Sequence, residues 1–239
     1  MSRYDEIKAN LDQVTARIRA AEAQAGREAG SVTLLPVTKF HPVEDLVILG
    51  QLGVTLVGEN REQEARQKAE ALKEAGESSI SIAMIGQIQS KKANAIARWA
   101  KQVHSVDSVK LAHGLDRGVG LALERGDRDS GVLGCLAQVS MDNDPTRGGI
   151  PLDDVDELAA AIEESEHLSF DGIMVVPPLD ADPSQVFAEA RALADRLGEQ
   201  VGRRLVLSAG MSGDFENAIA HGSDIVRVGT GVLGARNVG

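Results

Sequence analysis

Short apolar runs alternating with helical patterns recur along this whole chain, and that alternation limits the folds open to it. The runs are Val32 to Val37, Val54 to Val57, Ile80 to Ile85, Val103 to Val106, Val132 to Val139, Phe170 to Val176, Leu205 to Leu207 and Ile225 to Val228. Most are continuous rather than alternating, as in parallel strands covered on both faces. Ahead of them, Ile7, Leu11, Val14 and Ile18 form one apolar stripe on a helix over 3–25, ended near Gly26 and Gly30. Further helices are expected over 43–51, up to Glu74, from Lys91 to Lys101, beyond an Asp107 or Ser108 cap, and over 153–164, 183–199 and 212–220. Connections are short and no Pro/Gly-rich linker divides the chain. The expectation is a single α/β domain over 1–239, a (β/α)8 TIM barrel with an extra N-terminal helix. A doubly wound open sheet is the second choice. It normally has fewer strands, and no Gly-rich dinucleotide fingerprint follows the first run.

Charge and cysteine usage exclude several classes. The formal net charge of −11 over 239 residues argues against nucleic acid or an anionic membrane as partner. The one cysteine, Cys135, lies inside an apolar run, so no disulfide or cysteine metal site is expected and the thiol reads as buried and inert. His41, His104, His113, His167 and His221 are scattered, read as surface or ordinary structural histidines, and form no metal-ligand spacing. Asp142, Asn143 and Asp144 lack the later ligands of a cation loop and read as turn residues. No metal site is expected. Met1-Ser2-Arg3-Tyr4-Asp5 carries no apolar signal region and no segment approaches a membrane span, so the cytoplasm is the expected location.

Candidate chemistry gathers at the ends of the runs. Lys39 follows the first one, where a barrel strand would aim it at whatever the barrel binds. A lysine partly desolvated there can form an imine with a carbonyl. The plainer reading is a solvated lysine in a βα loop. The seventh and eighth runs lead into Ser208-Ala209-Gly210-Met211-Ser212 and Gly229-Thr230-Gly231, small hydroxyl and glycine residues ahead of helices. In a barrel those two ends are where a phosphate binds. Strand eight would neighbour strand one, placing a phosphate near Gly229-Thr230 and an aldehyde on Lys39 on adjacent staves. Pyridoxal phosphate carries both groups. Arg227 lies within an apolar run and needs an acceptor. It could pair with an internal carboxylate or face a pyridine nitrogen. In the second case it would leave the nitrogen unprotonated and weaken the ring as an electron sink. Asn60, after Gly58-Glu59, could touch the ring or cap the following helix.

The ordered combination resembles a known family, the small pyridoxal phosphate homeostasis proteins of the YggS/PROSC type, which look like the barrel domain of alanine racemase standing alone. The matching blocks are Leu35-Pro36-Val37-Thr38-Lys39, Gly58-Glu59-Asn60 with Gln63-Glu64, Ile85-Gly86 through Gln89-Ser90 and Lys92, and Gly172-Ile173-Met174 with Pro177. Leu207-Ser208 with Gly210-Met211-Ser212, and Val226-Arg227-Val228-Gly229-Thr230 with Gly234 and Arg236, complete the set. Departures fall at Arg61, where the family has an aromatic, at Ala83-Met84, at Lys91 and at Ala209.

The resemblance implies a covalent aldimine of pyridoxal 5'-phosphate on Lys39. It implies that Ser208, Gly229 and Thr230 hold the phosphate, that Arg227 meets the ring nitrogen and that Asn60 lies by the ring. It implies a role in vitamin B6 homeostasis without strong catalysis, with pyridoxal-phosphate-dependent apoenzymes as candidate partners. A monomer is expected ahead of a dimer. Two other functions compete. A racemase needs a second proton donor, and Tyr4 in the first helix is the only tyrosine. A Schiff-base aldolase would use Lys39 without a phosphate cup.

Overall fold

The chain, seen here in a computed structural model, is described over residues 2–129, 131–142, 144 and 147–235. Arg236 and Asn143 lie outside the described residues. Ser2 caps the first helix, α1 (Arg3–Gln24), by accepting from the Asp5 amide while Asp5 reaches back to the Ser2 amide. Ile7, Val14 and Ile18 are buried from its stripe. The chain then alternates as the apolar runs require: β1 (Thr33–Pro36), α2 (Val43–Gln51), β2 (Leu56–Glu59), α3 (Glu62–Glu74), β3 (Ser81–Met84), α4 (Ala93–Ala97), β4 (Gln102–Val106) and α5 (Val109–Glu124). The second half continues with β5 (Leu133–Gln138), α6 (Val155–Glu163), β6 (Leu168–Met174), α7 (Pro183–Val201), β7 (Val206–Met211), α8 (Phe215–Ala220), β8 (Ile225–Val228) and the one-turn α9 (Thr230–Leu233).

The 8 strands form one parallel sheet in the order β1-β8-β7-β6-β5-β4-β3-β2. Its two ends meet through a single bridge, Val37 to Gly58, with the Thr38 amide donating to the Gly58 carbonyl at 3.0 Å. This is the expected barrel, nearly closed, with helices on its outer face. Apolar packing falls into two clusters. One fills the β4 to β7 side around Leu111, Leu115, Phe170 and Phe187. The other lies under α1, around Ile7, Ile18, Leu46, Phe215 and Val226. Trp99 packs against both. Cys135 is buried, and burial pushes its thiol well above the ordinary range, in line with an inert residue.

Several boundaries differ from the sequence expectation, each for a physical reason. The second run does not stop at Gly58. Gly58 and Glu59 belong to β2 and pair with Ala83 and Met84. Glycine fits there because a Cβ would come within 3.0 Å of Ile85 and 3.3 Å of Leu35. β7 continues beyond Leu207, where the seventh run ends, through Ser208, Ala209 and Gly210. Its register against β8 is irregular between Ser208 and Met211, and Gly210 takes a φ of 90° that favours glycine. α8 accordingly starts at Phe215 rather than Ser212. The helix expected from Lys91 to Lys101 is a short 3-10 turn over Ser90–Lys92 followed by α4. It ends early because the Lys101 amide bonds the Ile82 carbonyl and draws the chain into the sheet. Ser108 is the cap of α5, accepting from the Leu111 amide. No helix among the described residues is long and apolar enough to cross a membrane.

Candidate functional site

The N-terminal end of the barrel is charged. Asp224 precedes β8. Its Oδ1 accepts from Arg27 at 3.0 Å and Arg204 at 2.8 Å, and its Oδ2 from Arg191 at 3.1 Å and the Leu207 amide at 2.9 Å. Glu22 of α1 is fully buried and accepts from the Gly30 and Val32 amides, fixing the entry to β1.

The interior carries a polar chain across the barrel. Arg227, on β8, is buried. Its Nη1 donates to the Ser208 carbonyl and to Ser208 Oγ, both at 2.8 Å, and its Nη2 to the Val175 carbonyl at 3.0 Å. Among the described residues no carboxylate pairs with it. Burial pushes its guanidinium down to about 10, against a weaker pull from Asp214, and it remains a cation at neutral pH. Ser208 Oγ lies 3.3 Å from Nδ1 of His104, whose Nε2 lies 3.0 Å from Gln102 Oε1. β4 and β7 are not neighbours in the sheet, so this contact passes through the lumen. The donors fix the sense of the chain. Arg227 has only hydrogens to give, which leaves Ser208 to donate to Nδ1 and His104 to donate from Nε2. Burial, with Arg227 alongside, pushes the imidazole down to about 3, so His104 is neutral.

The C-terminal rim is different. Lys39 lies past β1, half-buried, and among the described residues its ammonium has no hydrogen bond or ion pair. Asn60 lies past β2. It does not cap α3, whose first flanking residue, Arg61, makes no side-chain cap either. Asn60 Oδ1 is buried without a partner among the described residues. The backbone of Asn60 presses on Gly86, where a Cβ would fall 2.1 Å from the Asn60 carbonyl oxygen. Gly229 follows β8 against Val37, and Thr230 opens α9 with its side chain exposed.

The candidate residues therefore come from four consecutive staves, β7, β8, β1 and β2. Ser208 and Arg227 are bonded to each other inside the lumen. Lys39, Asn60, Gly229 and Thr230 sit at the rim above. Ser208, expected at a phosphate, is fully buried, with its hydroxyl engaged by Arg227 and His104.

Two residues beside Lys39, Glu59 and Lys68, and His104 in the lumen were given no role from the sequence. Glu59 is fully buried, with Oε1 accepting from Thr38 Oγ1 at 2.5 Å and from Lys68 Nζ at 2.6 Å. Glu59 Oε2 has no partner among the described residues. Burial raises the Glu59 carboxyl, against the pull of Lys68 and Thr38. Lys68 also donates to Glu64 Oε1 at 2.7 Å. A signal existed: Lys68 lies in the buried stripe of α3, between Ala65 and Leu72. His104 gave no such signal.

These features suit pyridoxal phosphate. Lys39 offers a free amine, Asn60 Oδ1 offers a buried acceptor that a ring hydroxyl can satisfy, and Arg227 supplies a fixed cation below.

Comparison with known proteins agrees with the architecture. Residues 9–237 match the family described as alanine racemase, N-terminal domain. The chain is 58% identical over 221 residues to the pyridoxal phosphate homeostasis protein of Corynebacterium glutamicum, covering 92% of this chain and 98% of that one. An unknown protein from Bifidobacterium adolescentis superposes with a TM-score of 0.82 at 33% identity, covering 96% of this chain and 95% of that one. PipY of Synechococcus elongatus, solved with pyridoxal phosphate bound, superposes with a TM-score of 0.76 at 31% identity, covering 92% of this chain and 100% of that one.

Proposed function

The chain belongs to the alanine racemase N-terminal domain family and, within it, to the pyridoxal phosphate homeostasis proteins, and from that premise we propose that it binds pyridoxal 5'-phosphate at the mouth of its barrel. It does so covalently, through the Lys39 amine, as one domain serving vitamin B6 homeostasis in the cytoplasm. The observation that carries the reading is the proximity in the sheet of a lysine past β1 and a buried amide oxygen, Asn60 Oδ1, past β2, neither with a partner among the described residues. When bound, pyridoxal phosphate would supply an aldehyde able to condense with an amine, releasing water. This chain's residues do the rest. Lys39 supplies the amine. Asn60 orients the ring edge. Gly229 and Thr230 receive the phosphate at the end of β8, with Ser208 below them. Arg227, held by Ser208 and the Val175 carbonyl, faces the ring nitrogen. A permanent cation there keeps the nitrogen unprotonated and the ring a poor electron sink, which suits storage or delivery to apoenzymes over amino-acid turnover. A monomer is proposed ahead of a dimer.

The test is the visible absorption of purified protein incubated with pyridoxal phosphate, before and after borohydride reduction, with the modified peptide located by mass spectrometry. The expected result is a band in the protein and a reduced adduct on Lys39, both lost in Lys39→Ala. An adduct confined to other lysines would overturn the assignment.

A further inference from the structure

The two peptide groups that flank Lys39 are both held by one ion pair on α3. Lys68 Nζ donates to the Thr38 carbonyl at 2.8 Å, on the near side of Lys39. Glu64 Oε1 accepts from the Phe40 amide at 2.5 Å, on the far side. Lys68 and Glu64 are 2.7 Å apart, one turn of helix from each other. The pair is anchored below by Glu59, which takes a further donor from Lys68 and one from the Thr38 hydroxyl. Phe40 takes a φ of 66°, a left-handed conformation costly for a residue with a Cβ. Such a conformation persists only where the surroundings impose it, and here the Glu64 contact does so, together with Arg61, whose guanidinium lies 4.6 Å over the Phe40 ring.

From this arrangement we propose that Lys68, Glu64 and Glu59 are positioning residues for Lys39, forming a clamp that fixes the backbone on both sides of it and so aims its amine into the barrel mouth. This rests on the reading of Lys39 as the cofactor lysine. Lys68 itself has three donors and three acceptors, the Thr38 carbonyl, Glu59 and Glu64. As a fully bonded ammonium it has no electron pair to offer, so two lysines lie close together and one is held in place while the other is left free.

Lys68 and Glu59 are buried, and changing either endangers the fold. Glu64 has a side chain 23% exposed and is the place to cut the clamp. In the cofactor-free protein, Glu64→Ala should speed hydrogen exchange of the Phe40 amide while leaving the melting temperature in place. Pyridoxal phosphate affinity should fall about tenfold, the loss expected when a preorganised group is released. Glu64→Gln keeps an oxygen acceptor and should recover most of that affinity. Unchanged Phe40 exchange, or wild-type affinity in Glu64→Ala, would overturn the clamp. An adduct on Lys68 in the wild-type protein would overturn it too. Retention of the absorption band by Lys39→Ala would instead defeat the cofactor-lysine reading, and the Phe40 exchange result, which needs no cofactor, would still decide the clamp.

Discussion

The two ends of the barrel use their charged groups differently. At the N-terminal end, Asp224 accepts from three arginines and a backbone amide, and Glu22 from two amides and Arg19. Among the described residues the unmet atoms on this side are nitrogens: Arg191 Nε, of a guanidinium whose other nitrogens are bonded, His167 Nδ1 ahead of β6 and Trp99 Nε1 ahead of β4. At the C-terminal end, Lys39 has no partner among the described residues, and Asn60 Oδ1 and Glu59 Oε2 are buried without one. Unmet hydrogen-bonding capacity costs stability where it is buried. At the rim the unmet groups are an amine and two acceptor oxygens gathered on the adjacent β1 and β2, where a barrel binds its ligand, whereas the unmet nitrogens at the other end are scattered.

Three measurements break or sharpen this contrast, beginning with the largest effect. Asp224→Ala strands a cluster of arginines and one amide, and should cost about 3 kcal/mol in urea unfolding. Its folded fraction should still give the cofactor band. A cost below about 1 kcal/mol would mean the N-terminal cluster is not the fastening it looks like.

The lumen between the ends gives the second. His104 stays neutral in the folded chain down to about 3, whereas an unfolded imidazole takes a proton near 6.5. The unfolded state therefore binds more protons over that interval, and stability should fall with falling pH by about 1.4 kcal/mol per unit below pH 6.5. Between pH 6.5 and 5, above most carboxylate titration, His104→Gln should flatten the slope. An unchanged slope in that variant would assign the effect elsewhere.

The smallest effect is expected at the rim. Lys39→Ala and Asn60→Ala remove groups that have no partner to lose, so each should shift unfolding by under about 0.5 kcal/mol. Cofactor binding should respond strongly, with the band absent in the first variant and affinity reduced in the second. A large stability loss at either position would make the rim part of the scaffold and erase the contrast.

Much of the barrel was legible in the sequence because each strand is an apolar run and each helix carries its own spacing. β8 falls where the eighth run does, and Lys39 stands out because a cation ends an apolar run. Arg227 stands out for a similar reason, since an arginine within Val226 and Val228 needs an acceptor. Its acceptors could not be read, because they are carbonyls and a hydroxyl from β7, its neighbour in the sheet, and from Val175 just past β6. Glu59 looked like the loop after β2, since glycine usually breaks strands, and the close approach of Leu35 that demands Gly58 is a tertiary fact. α3 has so many charges that nothing local marks which one turns inward. Only the position of Lys68 in the Ala65 and Leu72 stripe does so. His104 was read as ordinary because its bond to Ser208 spans a lumen that sequence distance does not show.

Closure of the sheet has its own consequence for the site. β1 and β8 pair residue by residue from Thr33 to Pro36, whereas among the described residues the β1 and β2 backbones are joined through the single Val37 to Gly58 bridge, with the Thr38 amide. A hoop yields first where it has the fewest fastenings, and this seam opens between the strands that end in Lys39 and Asn60. A molecule gripping both residues acts as a rivet across it. Binding there would do more than fill a recess: it would add a fastening at the thinnest line of the wall, and the occupied barrel would resist opening as a complete ring.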